Sequence, residues 1–152
     1  MKYILLTLFL FLDFAVADYI WPTDASNTLT GTFCEERPFR YHAGIDIRTY
    51  GKTGFEVYAI EDGYIEKIKI NYKGYGNTIY LKLNDGNTAV YAHLDHFIPE
   101  LDNLASALQE YYDNYEIDHF FEEKEHIIKK GDLIGYSGDT GGVSGRHLHF
   151  EI

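Results

Sequence analysis

Short β-prone runs separated by Gly, Asn and Asp fill the chain from Thr30 to Leu94. Residues 57–60 lead into Glu61, Asp62 and Gly63, and residues 64–70 then nearly alternate apolar with charged positions. Gly74 to Asn77 punctuate, residues 78–83 run into an Asn-Asp-Gly-Asn turn, and residues 88–93 close the series. Strands of about six residues joined by Asp-Gly and Gly-Asn turns predict an antiparallel meander with one face on a core. The period then changes. Leu101, Leu104, Ala105, Leu108, Tyr111, Tyr112 and Tyr115 recur at spacings of three and four, which predicts an amphipathic helix. Pro99 suits its first turn, and Glu100 and Asp102 complement the helix dipole. Residues 116–125 are acidic and aromatic without a period and read as irregular. Strand and turn return over 127–136, a glycine-rich loop covers 137–145, and residues 146–152 read as a last strand. Its alternation runs to the final residue, so the chain reads as the front portion of a longer product. The expected fold class is all-β, mainly antiparallel, with a helix-bearing insertion over about 99–125.

The first 17 residues do not belong to that pattern. Lys2, a 9-residue apolar run from Ile4 to Leu12, and Ala15-Val16-Ala17 read as a secretory signal cleaved after Ala17. The run is about half the roughly 20 residues a membrane-spanning helix needs. Residues 18–29 then form a lead-in and 30–152 a single domain, exported to a periplasm or a cell wall, with no membrane attachment once the signal is gone. Hydrophobic residues at 45% and charged residues at 24% suit a folded globule. Acidic residues outnumber basic ones 24 to 13, a formal charge of −11. That balance argues against nucleic acid and anionic lipid as partners, because both are held by clustered Lys and Arg. Cys34 is the single cysteine, which rules out an internal disulfide, and it is expected to pack as a small residue.

Seven histidines are candidates for chemistry. His42 and Asp46 form a His-x-x-x-Asp whose ends can meet if the chain turns at Gly44. His147 and His149 are two residues apart, so in a strand they project from the same face. His93 ends a predicted strand. Two imidazoles, one carboxylate and an open position suit a catalytic rather than a structural zinc site, though the residues alone do not say which histidine of the last pair is a ligand. The loop from Gly138 to Gly145 is no phosphate cradle, since no Gly-Lys-Ser/Thr follows and a strand comes next. It reads as a tight turn that lets a substrate backbone approach.

Several segments, in order and at matching separations, resemble the lysostaphin/LytM-type zinc metallopeptidases. They are Thr32-Phe33-Cys34-Glu35-Glu36-Arg37, His42-Ala43-Gly44-Ile45-Asp46, Tyr91-Ala92-His93-Leu94 and the run from Ser144 to Ile152. The resemblance implies a duplicated hybrid-motif β fold and a peptidoglycan endopeptidase cutting stem or cross-bridge peptides. It implies one Zn2+ held by His42, Asp46 and His149, with His93 and His147 as the unligated catalytic histidines. His147 is then expected to act as general base and His93 to stabilise the oxyanion, although the pair could exchange roles. Two departures stand out: Cys34 where the family usually has glycine, expected to strain a turn, and Arg146 where it usually has proline. The alternative reading is a non-catalytic LytM-like domain that binds wall peptide or activates another wall hydrolase.

Overall fold

The computed structural model describes residues 18–123 and 125–152; the expected signal, residues 1–17, lies outside them. Along the chain run β1 (Leu29–Gly31), β2 (Glu36–Arg37), β3 (Arg40–Tyr41), β4 (Ile45–Arg48), β5 (Glu56–Tyr58), β6 (Gly63–Ile70) and β7 (Asn77–Leu83). After them come β8 (Thr88–Phe97), α1 (Pro99–Tyr112), β9 (Ile117–Phe120), β10 (Ile127–Ile128), β11 (Leu133–Ser137) and β12 (His147–Glu151). One sheet has the order β1-β4-β12-β8-β7-β6-β10, with β11 joining β8 to β5 and β9 added to β6. β2 and β3 form a separate hairpin, and the recorded strand pairings are antiparallel. The all-β reading with one helix therefore holds.

The meander predicted between Gly63 and Phe97 is β6-β7-β8, and its alternation places Ile65, Ile68, Ile79, Leu81, Tyr91 and Leu94 in the core. β8 departs from alternation. Residues 89–94 are buried on both faces, as expected of a central strand covered on two sides. Its first half pairs with β12 through Val90, Tyr91 and Ala92, and its second half pairs with β11 through Leu94, His96 and Phe97. His93 sits where β8 changes partners and adopts φ +60°, a left-handed conformation uncommon for a residue with a side chain.

The helix starts at Pro99 as expected, with Asp102 Oδ1 accepting the Phe97 N–H at 3.0 Å. It stops at Tyr112, short of the periodic Tyr115, because Asp113 turns left-handed (φ 47°) and its N–H closes back on Gln109 and Glu110. Tyr115 instead stacks on Tyr72 at 4.1 Å between ring centroids. The segment expected to be irregular contains β9, which pairs Ile117–Phe120 with residues 67–70 of β6. Lys67 and Lys69 of β6 reach Asp118, so part of the acidic character of the segment read as irregular is cross-strand ion pairing. Cys34 is exposed rather than packed, a second correction. Its φ of +60° explains why glycine suits this position and bears out the expected strain.

Candidate metal centre

β4 and β12 build the floor of the site. Their register sets Asp46 directly opposite His149, so the two side chains share one face, and Asp46 Oδ1 lies 3.0 Å from His149 Nδ1. His42 enters from the loop before β4. The turn that brings it in passes so close to β12 that a Cβ on Gly44 would fall 2.2 Å from the Phe150 carbonyl oxygen, which requires glycine there. His42 Nε2 then lies 3.0 Å from His149 Nδ1 and 3.1 Å from Asp46 Oδ1. All three residues are buried.

The remaining ring nitrogens fix the tautomers. His42 Nδ1–H donates to the Thr32 carbonyl at 2.8 Å, and His149 Nε2–H donates to Glu151 Oε1 at 2.7 Å. Neither acceptor can return a proton, so His42 Nε2 and His149 Nδ1 both point lone pairs at one spot. Arg37 donates to Asp46 Oδ2, which leaves Oδ1 as the oxygen facing that spot. Three lone-pair donors 3.0–3.1 Å apart repel one another unless positive charge sits among them. A shared proton satisfies the group, and so does a metal ion. A tetrahedral zinc holding N and O donors at about 2.0–2.1 Å spaces them about 3.3–3.4 Å apart, close to what these side chains offer. The donor set therefore fits a zinc ion.

The electrostatics agree. Burial opposes ionisation of Asp46, but the adjoining His147 and His149 rings and the Arg37 guanidinium outweigh it and hold the carboxyl well below the ordinary range. Burial also opposes a charged His149, yet Asp46 and Glu151 on its two nitrogens raise its pKa overall. Glu151 is lowered because hydrogen bonds from His149 and Tyr75 overcome its own burial. This balance of charge is compatible with a cation among the three donors.

His93 and His147 flank this cluster, their ring centroids 4.9 Å apart. Each spends its Nδ1–H on a backbone carbonyl: His93 on Thr140 at 2.9 Å, His147 on Gly145 at 2.8 Å. Both Nε2 atoms are thus hydrogen-bond acceptors, and that of His147 lies 3.3 Å from Asp46 Oδ1. Burial, then the neighbouring His147, lowers the His93 pKa to about 4, so His93 is neutral near pH 7. In this tautomer the neutral His93 offers its Nε2 lone pair to the cleft.

The glycine-rich loop serves this arrangement in two ways. Gly141 (φ +79°) and Gly76 (φ +64°) pass so closely that a Cβ on either would lie 2.4 Å from atoms of the other loop. Thr140 Oγ1 locks the two together, accepting from the Asn77 N–H at 2.9 Å and donating to the Leu94 carbonyl at 2.7 Å. Closeness between two segments of the chain, rather than to substrate alone, explains these glycines. Farther along, Gly142 to Gly145 line an open cleft of about 690 Å³ together with His93, His147 and Asp46. Arg146 binds Asp139 (3.0 Å) and the Gly51 carbonyl (2.9 Å), so the residue standing in place of proline ties the loop to its neighbour.

All five side chains singled out in the sequence converge here. The residues that orient them were not foreseen: Arg37 behind Asp46, Glu151 behind His149, and the carbonyls of Thr32, Thr140 and Gly145. Glu151 was within reach of pattern reading, because His147, His149 and Glu151 are successive same-face positions of one strand.

Comparison with known proteins follows the same line. Residues 40–107 match the family described as Peptidase family M23. The chain is 30% identical over 113 residues to the DD-carboxypeptidase/endopeptidase Mpg of Neisseria meningitidis serogroup B, covering 74% of this chain and 20% of that protein. It is 30% identical over 137 residues to the murein hydrolase activator NlpD of Escherichia coli K12, covering 90% of this chain and 28% of NlpD. The chain thus spans between a fifth and just over a quarter of the length of these relatives. Among solved structures, the catalytic domain of lysostaphin from Staphylococcus simulans superposes with a TM-score of 0.53 at 26% identity, over 82% of this chain and 75% of that one. A zinc-containing peptidase from Vibrio cholerae superposes with a TM-score of 0.63 at 24% identity, over 89% of this chain and 36% of that one, and shares the fold. With the motifs, the strand order and these likenesses in agreement, the chain carries a Peptidase family M23 domain and has the lysostaphin/LytM-like fold.

Proposed function

We propose that this chain is a zinc metalloendopeptidase that hydrolyses peptide bonds in peptidoglycan stem or cross-bridge peptides. The observation that carries the reading is the convergence of three lone-pair donors, from His42, Asp46 and His149, on one point beside an open cleft. Those three residues would hold the ion beside the cleft. A zinc ion so held supplies Lewis acidity, polarising a carbonyl and lowering the pKa of bound water to about 7.

The protein's own groups do the rest. His147 is the less buried of the flanking histidines and stands beside the Asp46 carboxylate, so it takes the proton of the attacking water on Nε2. Once protonated, that Nε2–H becomes the donor for the developing oxyanion and then for the leaving amine. His93, neutral and fixed by Thr140, accepts a hydrogen bond from the water or the substrate amide and so orients it. Wall peptides as substrate also place the protein outside the cytoplasm, in keeping with the signal read at residues 1–17. No helix among the described residues is long and apolar enough to cross a membrane.

Likeness to NlpD supports a second reading, a domain that binds wall peptide and activates another hydrolase. Retention of all five side chains favours catalysis over it. Digestion of purified muropeptides, followed by mass analysis of the products, separates the two. The peptidase reading expects cleavage that a chelator stops and zinc restores, and that His93→Ala abolishes while zinc stays bound. A His93→Ala protein that still cleaves overturns the assignment, and a wild-type protein that binds no zinc favours the activator.

A further inference from the structure

The acidic protein has a basic cleft. Its four arginines are Arg37, Arg40, Arg48 and Arg146, and three of them line the cleft that holds His93 and His147. The only carboxylates lining it among the described residues are Glu35 and Asp46, and Arg37 faces both, at 3.8 Å from Glu35 and in hydrogen-bond contact with Asp46. Arg146 is held by Asp139 and Gly51. Arg40 is different. It is exposed, and no carboxylate among the described residues comes within 4.0 Å of it. It also lines a smaller recess beside Tyr75, His93 and His149, adjoining the metal cluster.

The hairpin fixes where Arg40 stands. β2 and β3 pair Arg37 directly with Arg40, so both guanidinium groups leave the same face of the ladder. Only Pro38 and Phe39 separate them, with Pro38 presetting its own φ and Phe39 held at φ +67°. This short stiff turn keeps one arginine on Asp46 and the other free at the cleft. An unpaired guanidinium offers a planar fork of donors matched to a carboxylate.

Building on the peptidase reading, we propose that Arg40 is a specificity residue that binds a free carboxylate of the substrate next to the scissile bond. The preferred substrate is then an acidic stem peptide rather than a run of glycine. Arg37 is a positioning residue for Asp46 and takes no part in this recognition.

The test is equilibrium binding to the zinc-loaded full chain by calorimetry, with three probes: a wall stem tetrapeptide with free carboxylates, the same peptide amidated, and pentaglycine amide. Wild type is expected to bind the free carboxylate form about tenfold more tightly than the other two. Arg40→Ala should bind free and amidated peptides alike, and Arg40→Lys should regain part of the preference. Equal binding of all three probes by wild type overturns the inference, as does an Arg40→Ala protein that keeps the preference. Because binding is read without turnover, carboxylate preference in a protein that hydrolyses nothing would refute the peptidase reading alone. Hydrolysis with no carboxylate preference would refute this inference alone.

Discussion

Glu151 touches no proposed reacting atom, yet the arrangement makes zinc affinity depend on it. Its Oε1 accepts the His149 Nε2–H at 2.7 Å and also the Tyr75 hydroxyl. The first bond holds the imidazole in the tautomer that offers Nδ1 to a metal, and the negative charge behind the ring makes that nitrogen a stronger donor. A hydrogen bond to a charged group contributes about 1.5–3 kcal/mol, and each 1.4 kcal/mol is about tenfold in a binding constant. Glu151→Ala should therefore weaken zinc binding by about 10- to 100-fold. Glu151→Gln retains an oxygen acceptor without the charge, so its loss should be smaller. Tyr75→Phe leaves the Glu151–His149 bond in place and should cost the least of the three. Competition with a fluorescent zinc chelator at fixed pH gives the affinities, and far-ultraviolet circular dichroism verifies that each variant is folded. A folded Glu151→Ala protein that binds zinc as tightly as wild type would refute the reasoning.

Two further predictions concern other parts of the fold. Thr140→Val removes the hydroxyl that joins the two glycine loops, leaving the Asn77 N–H and the Leu94 carbonyl without their partner. It should destabilise the protein by about 1–3 kcal/mol in urea denaturation and lower turnover by displacing His93, while zinc content stays at the wild-type level. Asp62 accepts from Lys129 Nζ at 2.8 Å and from the Lys130 N–H at 2.9 Å, which lowers its pKa below the ordinary 3.8. A carboxyl lowered on folding stabilises the folded state above its unfolded pKa, and the effect fades as pH falls through the folded value. Thermal melts should show Asp62→Asn less stable than wild type at pH 7 and level with it near pH 2; a gap that persists at pH 2 contradicts the pairing.

Much of the architecture could be read from periodicity, and the misses have definite physical causes. β6 and β7 alternate clearly because each has one face on the core over six or more residues, and β8, buried on both faces over residues 89–94, shows as an apolar run. β9 was invisible because four residues, Ile-Asp-His-Phe, carry too little period, and its stability comes from the ladder with β6 and from Lys67 and Lys69 reaching Asp118. The helix was overextended because Tyr115 keeps the helical spacing while its ring stacks on Tyr72 from outside the helix. Cys34 was misplaced because its position is set by a left-handed turn and not by its affinity for a core. At the site, residue type revealed the five side chains that could do chemistry. Their supports escaped because backbone carbonyls such as those of Thr32 and Thr140 carry no sequence signal. Arg37, on the β2–β3 hairpin, lies behind Asp46 of β4 only through the tertiary fold, which no local pattern announces.

Zinc titration of the purified chain, run in parallel with Asp46→Ala and His93→Ala, tests the central claim most directly. The account predicts one zinc per wild-type chain, loss of that site in Asp46→Ala, and full retention in His93→Ala. Zinc bound equally well by Asp46→Ala, or lost from a folded His93→Ala, would contradict it.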